Sequence, residues 1–125
     1  YGWYNPDFEL LPDLLENSRP GKPVFITEFG AGAKTGHHGT TGELFTEECQ
    51  AEVYRRQIEV FRRTAYIKGI SPWILYDFRS PRRLNGLQLG YNLKGLMDRD
   101  RRTPKLAFNV LREFYRSLGD GTSQT

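Results

Sequence analysis

Residues 22–38 read KPVFITEFGAGAKTGHH. Val24, Phe25, Ile26 and Thr27 are β-branched or aromatic and lie between Pro23 and Gly30, which predicts a buried strand over 23–28. The run ends on a carboxylate, Glu28, and a glycine-rich segment with His37 and His38 follows at once. Glu28 is either a solvated residue opening a loop or a functional group held at a strand end. Glycines at 30, 32 and 36 tilt the balance toward function, because a residue without Cβ lets backbone and ligand approach closely.

Downstream, Thr46 followed by Glu47 and Glu48 predicts an N-cap with acidic residues in the first helical turn. The helix is expected over 46–66, with Val53, Ile58 and Phe61 on its buried face and Gly69 as its breaker. ISPWILYDF, residues 70–78, predicts a second buried strand, again ending near an acid, Asp77. A loop over 79–95 follows. Pro104 opens a last helix to Leu118, with Leu106, Val110, Leu111, Phe114 and Tyr115 on its apolar side. Upstream, Leu10, Leu11, Leu14 and Leu15 predict a short helix within residues 5–21, with Pro12 in its first turn. Residues 119–125 are expected to form a frayed tail after a single unit over 1–118. Strands alternating with helices imply an α/β fold with a parallel sheet. Two strands buried on both faces make a poor sheet alone, which favours a piece of a larger α/β barrel over a complete domain.

The chain has 125 residues, 38% hydrophobic and 26% charged, which suits a folded domain and excludes wholesale disorder. Aromatics at 14% supply wall material for a ligand site. The net charge of +3 is too small to imply nucleic acid, and Arg79, Arg82 and Arg83 read as a solvated basic edge without the pattern of a known nucleic-acid module. The lone Cys49 excludes an intramolecular disulfide and a multi-cysteine zinc site. Two adjacent histidines without a third spaced ligand do not make a metal site. No segment approaches the roughly 18 apolar residues of a membrane helix. The opening YGWY, without an initiator Met or basic leader, reads as the interior of a longer protein.

Five stretches in order then carry a resemblance. They are YGWY (1–4), TEFG (27–30), FTEE with Gln50 (45–50), PWILYDF (72–78) and NLKGLMDRDRRTPK (92–105). Together they resemble glycoside hydrolase family 2, the family of β-galactosidase and β-glucuronidase, over nearly the whole chain. The resemblance implies an α/β fold that is the C-terminal part of a catalytic (β/α)8 TIM barrel, about its last two βα units, with Glu28 as nucleophile on the seventh strand. A retaining glycosidase needs one ionised carboxylate about 5–5.5 Å from a second carboxyl group. The family carries that second group in an Asn-Glu pair on an earlier strand, and this chain has no such pair. Glu47, Glu48 and Glu52 read as helix-cap and helix-surface residues and do not fill the gap.

Trp73 reads either as core or as a ring for a pyranose face; the resemblance places it on the eighth strand, lining the sugar pocket. It also implies that Trp3 and Tyr4 lie near that pocket, that a tyrosine before Tyr1, or Tyr1 itself, hydrogen-bonds the nucleophile, and that His38 matches a loop histidine, which either contacts substrate or is solvent-exposed. Asn92-Leu93-Lys94 is either a turn with a solvated lysine or, as in β-glucuronidases, the grip on a sugar carboxylate, where an ammonium and an amide donor suit a uronic acid. The substrate implied is a carbohydrate, a β-glucuronide first and a β-galactoside second. No cofactor, nucleic acid or membrane enters. WILYDF departs from the family's usual Trp-Asn-Phe-Ala-Asp-Phe, and Cys49 stands where an aromatic is usual, so the sugar is less sharply implied than the family. Taken alone, a partial barrel leaves apolar edges uncovered, and a homo-oligomer is expected.

Overall fold

The computed structural model describes residues 10–18 and 21–120. Tyr1, Trp3 and Tyr4 lie outside the described residues. The elements are α1 (Leu10–Ser18), β1 (Val24–Ile26), α2 (Glu47–Arg63), β2 (Ile67–Ile70), β3 (Phe78–Arg79), β4 (Tyr91–Asn92) and α3 (Leu106–Asp120). β1 and β2 pair in parallel, with Phe25 opposite Gly69 and Ile26 opposite Ile70, and α2 connects them. This is the expected βαβ unit. The ladder continues loosely beyond it, because Ser71 N donates to Ile26 O and Trp73 N to Phe29 O at 3.1 Å.

α2 begins where its sequence requires. Thr46 Oγ1 accepts from Cys49 N at 3.0 Å and donates to Glu43 O, so the cap also closes the preceding turn. Arg62 and Arg63 occupy the last turn, where positive charge suits the helix dipole. Val53, Ile58 and Phe61 are buried as expected. α3 packs against α2 through Ala107, Leu111 and Phe114. Phe29 joins that core between Tyr54 and Phe61, with ring centroids 5.5 and 5.0 Å away in edge-on geometry.

Several boundaries differ from the expectation. The second strand lies at 67–70, not 70–78, and Gly69 belongs to it; α2 has already ended at Arg63. The Phe25 ring covers Gly69 so closely that a Cβ there would collide with it. Residues 71–77, despite their β-forming composition, have no long partner strand, and the Trp73–Ile74 peptide is cis. Chain direction resumes at β3, which pairs antiparallel with β4. β1 is not buried on both faces, since Phe25 is 60% exposed: two strands cannot cover one another's outer surface. Leu106 and Tyr115 are likewise exposed, because only one stripe of α3 meets α2. α3 continues through Asp120, so Gly119 and Asp120 are helical and not part of a frayed tail.

Candidate active site

Glu28 lies two residues past β1, exposed at its C-terminal end. Phe29 turns inward beside it, and Gly30 follows at φ +128°, a backbone state that side chains resist. A Cβ on Gly30 would collide with the Tyr54 hydroxyl. The space at Gly30 therefore admits α2, not a ligand, which corrects the reading of that glycine.

The segments that carry Trp73 and Lys94 run beside the Glu28 loop. Trp73 N donates to Phe29 O, and Ile74 N donates to Lys94 O at 3.1 Å, so the two backbones flank the Glu28 loop. Lys94 Nζ lies 5.9 Å from the Trp73 ring centroid. The ammonium is held below the usual lysine range, first by burial and then by Arg83, with Glu28 pulling it back up. Glu28, Trp73, Lys94 and Arg83 thus share one electrostatic neighbourhood. Arg83 is half-buried and belongs to it, whereas Arg79 and Arg82 are exposed as a basic edge should be.

Asn92 is buried at the end of β4, and its Oδ1 accepts from Lys94 N at 3.0 Å. That bond folds a side-chain turn which aims residue 94. His38 is engaged elsewhere. Its Nδ1 is 2.7 Å from Glu48 Oε1 and its Nε2 is 3.6 Å from Glu47 Oε2, at the N-terminus of α2. The hydrogen bond to Glu48 raises its pKa above the ordinary value, partly opposed by desolvation.

Three groups escaped sequence reasoning. Glu47 is not a surface cap: it is buried and accepts from Gly36 N at 2.8 Å and from Leu106 N at 2.9 Å, tying the glycine-rich loop to the start of α3. Glu52, by contrast, pairs with Arg55 and Arg56 on the surface of α2, as its position implied. Asp77, 5% exposed, pairs with Lys105, 1% exposed, at 2.8 Å. Burial pushes the Asp77 carboxyl up to about 6 against the pull of Lys105, and burial holds Lys105 below its usual range. Lys105 Nζ also donates to Ala33 O and Leu93 O. The third group is Gln50, whose amide donates to Ala31 O and Gly95 O. An acid inside an apolar run, as at Asp77, was the one visible hint.

Among the described residues no cluster of three His, Cys, Asp or Glu could hold a metal ion, and no helix is long and apolar enough to cross a membrane.

A βαβ unit with a carboxylate at one strand end, an aromatic ring beside the next and a lysine facing both belongs to the α/β proteins that build ligand sites at strand C-termini. No family model matches the chain. It is 38% identical to a β-glucuronidase of Paenibacillus borealis over 96% of its own length and 21% of the relative's. It is 35% identical to a β-glucuronidase of Streptococcus agalactiae, covering 91% of the chain and 20% of the relative. The solved Faecalibacterium prausnitzii β-glucuronidase superposes with a TM-score of 0.76 at 33% identity, covering 94% of this chain and 20% of that one. A β-galacturonidase of glycoside hydrolase family 2 from Eisenbergiella tayi, bound to galacturonate, gives a TM-score of 0.77 at 31% identity over 94% of this chain and 22% of that one. The chain belongs to glycoside hydrolase family 2, and spans about a fifth of the length of the curated relatives it matches.

Proposed function

We propose that the chain is the C-terminal part of the catalytic barrel of a retaining β-glycosidase, comprising about its last two βα units, and that the whole protein hydrolyses terminal β-glucuronides. The observation that carries this reading is the shared neighbourhood of Glu28 and Lys94 beside the Trp73 ring. A uronic acid offers an electrophilic anomeric carbon, an apolar ring face and a carboxylate, and these three groups answer them in turn.

Glu28 attacks the anomeric carbon and the glycosidic C–O bond breaks. The departing oxygen takes its proton from a carboxyl group on an earlier barrel strand, outside this chain. The same group then removes a proton from water, whose oxygen displaces Glu28 and releases the sugar with its configuration retained. Trp73 stacks on the sugar ring. Lys94 holds the C6 carboxylate and Asn92 aims Lys94, a role that its buried position favours over direct contact through Oδ1. Trp3 and Tyr4 remain proposed pocket residues. The engagement of His38 with α2 favours a loop-ordering role over substrate contact. No cofactor is required.

The similarity to a β-galacturonidase supports a second reading, a β-galacturonide, because a lysine that grips C6 is indifferent to the orientation at C4. A neutral β-galactoside fits less well, since it offers Lys94 no carboxylate to bind. The test is hydrolysis of chromogenic β-glucuronide, β-galacturonide and β-galactoside by the full-length protein that carries this segment. Glu28→Gln should cost about 10⁴-fold in kcat, and Lys94→Ala about 10- to 100-fold in kcat/KM on the uronides alone. Surviving turnover in Glu28→Gln overturns the nucleophile; equal losses on all three sugars overturn carboxylate recognition.

A further inference from the structure

Gln50 is fully buried on α2, and its Nε2 donates to two carbonyls at once: Ala31 O at 3.0 Å and Gly95 O at 3.0 Å. The orientation of the amide follows from its surroundings, because a flipped amide would face two acceptors with a third. Ala31 lies three residues past Glu28, and Gly95 one residue past Lys94. Two residues along each loop a second tie repeats the first. Ala33 N donates to Leu93 O at 2.9 Å, and Lys105 Nζ donates to both Ala33 O and Leu93 O. The Glu28 loop and the Lys94 loop are therefore stitched together twice, on either side of Lys94, and the Gln50 stitch is the one nearer Glu28 along the chain.

The sugar gives this geometry a use. In a uronide the anomeric carbon and the carboxylate-bearing carbon are joined through a rigid ring, so their separation is set covalently. A site that attacks one and grips the other must hold its two loops at a matching distance. A displacement of about 1 Å can cost about 10²-fold in rate. A neutral glycoside, gripped at one point, is far less sensitive to that distance.

We infer that Gln50 is a positioning residue that sets the spacing between the nucleophile loop and the carboxylate-binding loop, and with it the preference for uronides over neutral glycosides. This rests on the function proposed above. Gln50→Met keeps the length and helix propensity of the side chain and removes both donors. The parent and Gln50→Met full-length proteins are compared on β-glucuronide and β-galactoside. The expected result is a fall of about tenfold in the ratio of the two kcat/KM values, with KM for the glucuronide rising. In a Lys94→Ala background Gln50→Met should leave the ratio unchanged, because the contact it positions is already gone. Gln50→Asn, whose shorter amide cannot span both carbonyls, should show the same change at smaller size. A purely structural glutamine would lower the active fraction for both sugars alike, so an unchanged ratio in Gln50→Met overturns the inference. Failure of both variants to fold assigns Gln50 to stability alone and overturns it equally. Glucuronide turnover missing from the parent, or surviving in Glu28→Gln, overturns the functional reading instead.

Discussion

The two sides of the βαβ unit are finished to different degrees. On the side of Glu28 and Lys94, the loops close on one another through buried polar side chains: Gln50, Lys105, Asp77 and Glu47 each bind backbone from another part of the chain. On the opposite side, Phe25, Tyr115 and Leu118 stand exposed around an apolar groove of about 570 Å³ that also takes in Phe61, Ile67 and Phe114. A second apolar groove of about 560 Å³ runs between Pro72, Leu75, Leu96, Phe108 and Leu111. Polar groups buried without partners are costly, and on the site side Lys105, Asp77, Glu47 and the Gln50 amide nitrogen find theirs within the chain. Apolar surface left open costs less and can be covered by whatever packs there. The candidate site is thus fixed locally, while the outer faces depend on neighbours.

The comparison breaks most readily at Lys105. Lys105→Met strands Asp77 as an unpaired buried acid and should destabilise the chain by about 3–5 kcal/mol in urea unfolding. Adding Asp77→Leu should recover much of that loss. A loss under 1 kcal/mol in the single variant would show that the site side is not held by its buried polar ties.

Next in size is Gly30→Ala, which combines positive φ with a collision against Tyr54. It should cost about 1–3 kcal/mol, read as a lower unfolding midpoint. If Tyr54→Phe, which removes the nearest atom, relieves none of this cost, the hydroxyl contact is not its source, and the backbone state and the ring carbons carry it.

Phe25→Ser probes the other side. With Phe25 largely exposed, the isolated chain should lose only about 0.5–1 kcal/mol. Sedimentation velocity should show less self-association than in the parent, which we expect to form oligomers through these faces. A parent that sediments as a monomer at high concentration removes that expectation.

The smallest effect belongs to His38. Its pKa is raised in the folded state, so the stability it contributes is fully present below the unfolded value of about 6.5 and is lost as pH rises through the folded value. His38→Gln should flatten the thermal midpoint against pH in the range above about 6.5. An unchanged slope would mean that the imidazole bond to Glu48 is replaced by solvent at no cost, as happens for many exposed pairs.

The legible parts of the fold were those with local causes. α2 could be read because Thr46 caps it and because Val53, Ile58 and Phe61 recur on one face. α3 could be read from its apolar stripe and Pro104. β2 was displaced because the apolar run at 70–78 outweighs Ile67–Ile70 in composition, while pairing is decided by where α2 releases the chain opposite β1. Glu28, Trp73 and Lys94 stand out through their sequence motifs, and Lys94 lies near both Glu28 and the Trp73 ring in the structure. Asn92 also sits at this site, but behind Lys94, with a backbone bond that no motif displays. His38 bonds to α2, and Trp3 and Tyr4 lie outside the described residues.

By itself, then, the sequence determined the order of the helices and of the two parallel strands, the position of α2 and the strand-end placement of Glu28, but not the β3–β4 pair within the expected loop, because caps, periodicity and β-branched runs act over a few residues. Only the tertiary structure decided that Gln50 joins residues 31 and 95, that Lys105 reaches Asp77 from 28 positions away, and that Glu47 is buried between a loop and α3. A polar side chain has no intrinsic preference for the interior. It is buried only when folding delivers partners from distant parts of the chain, and those partners cannot be read from its neighbours in sequence.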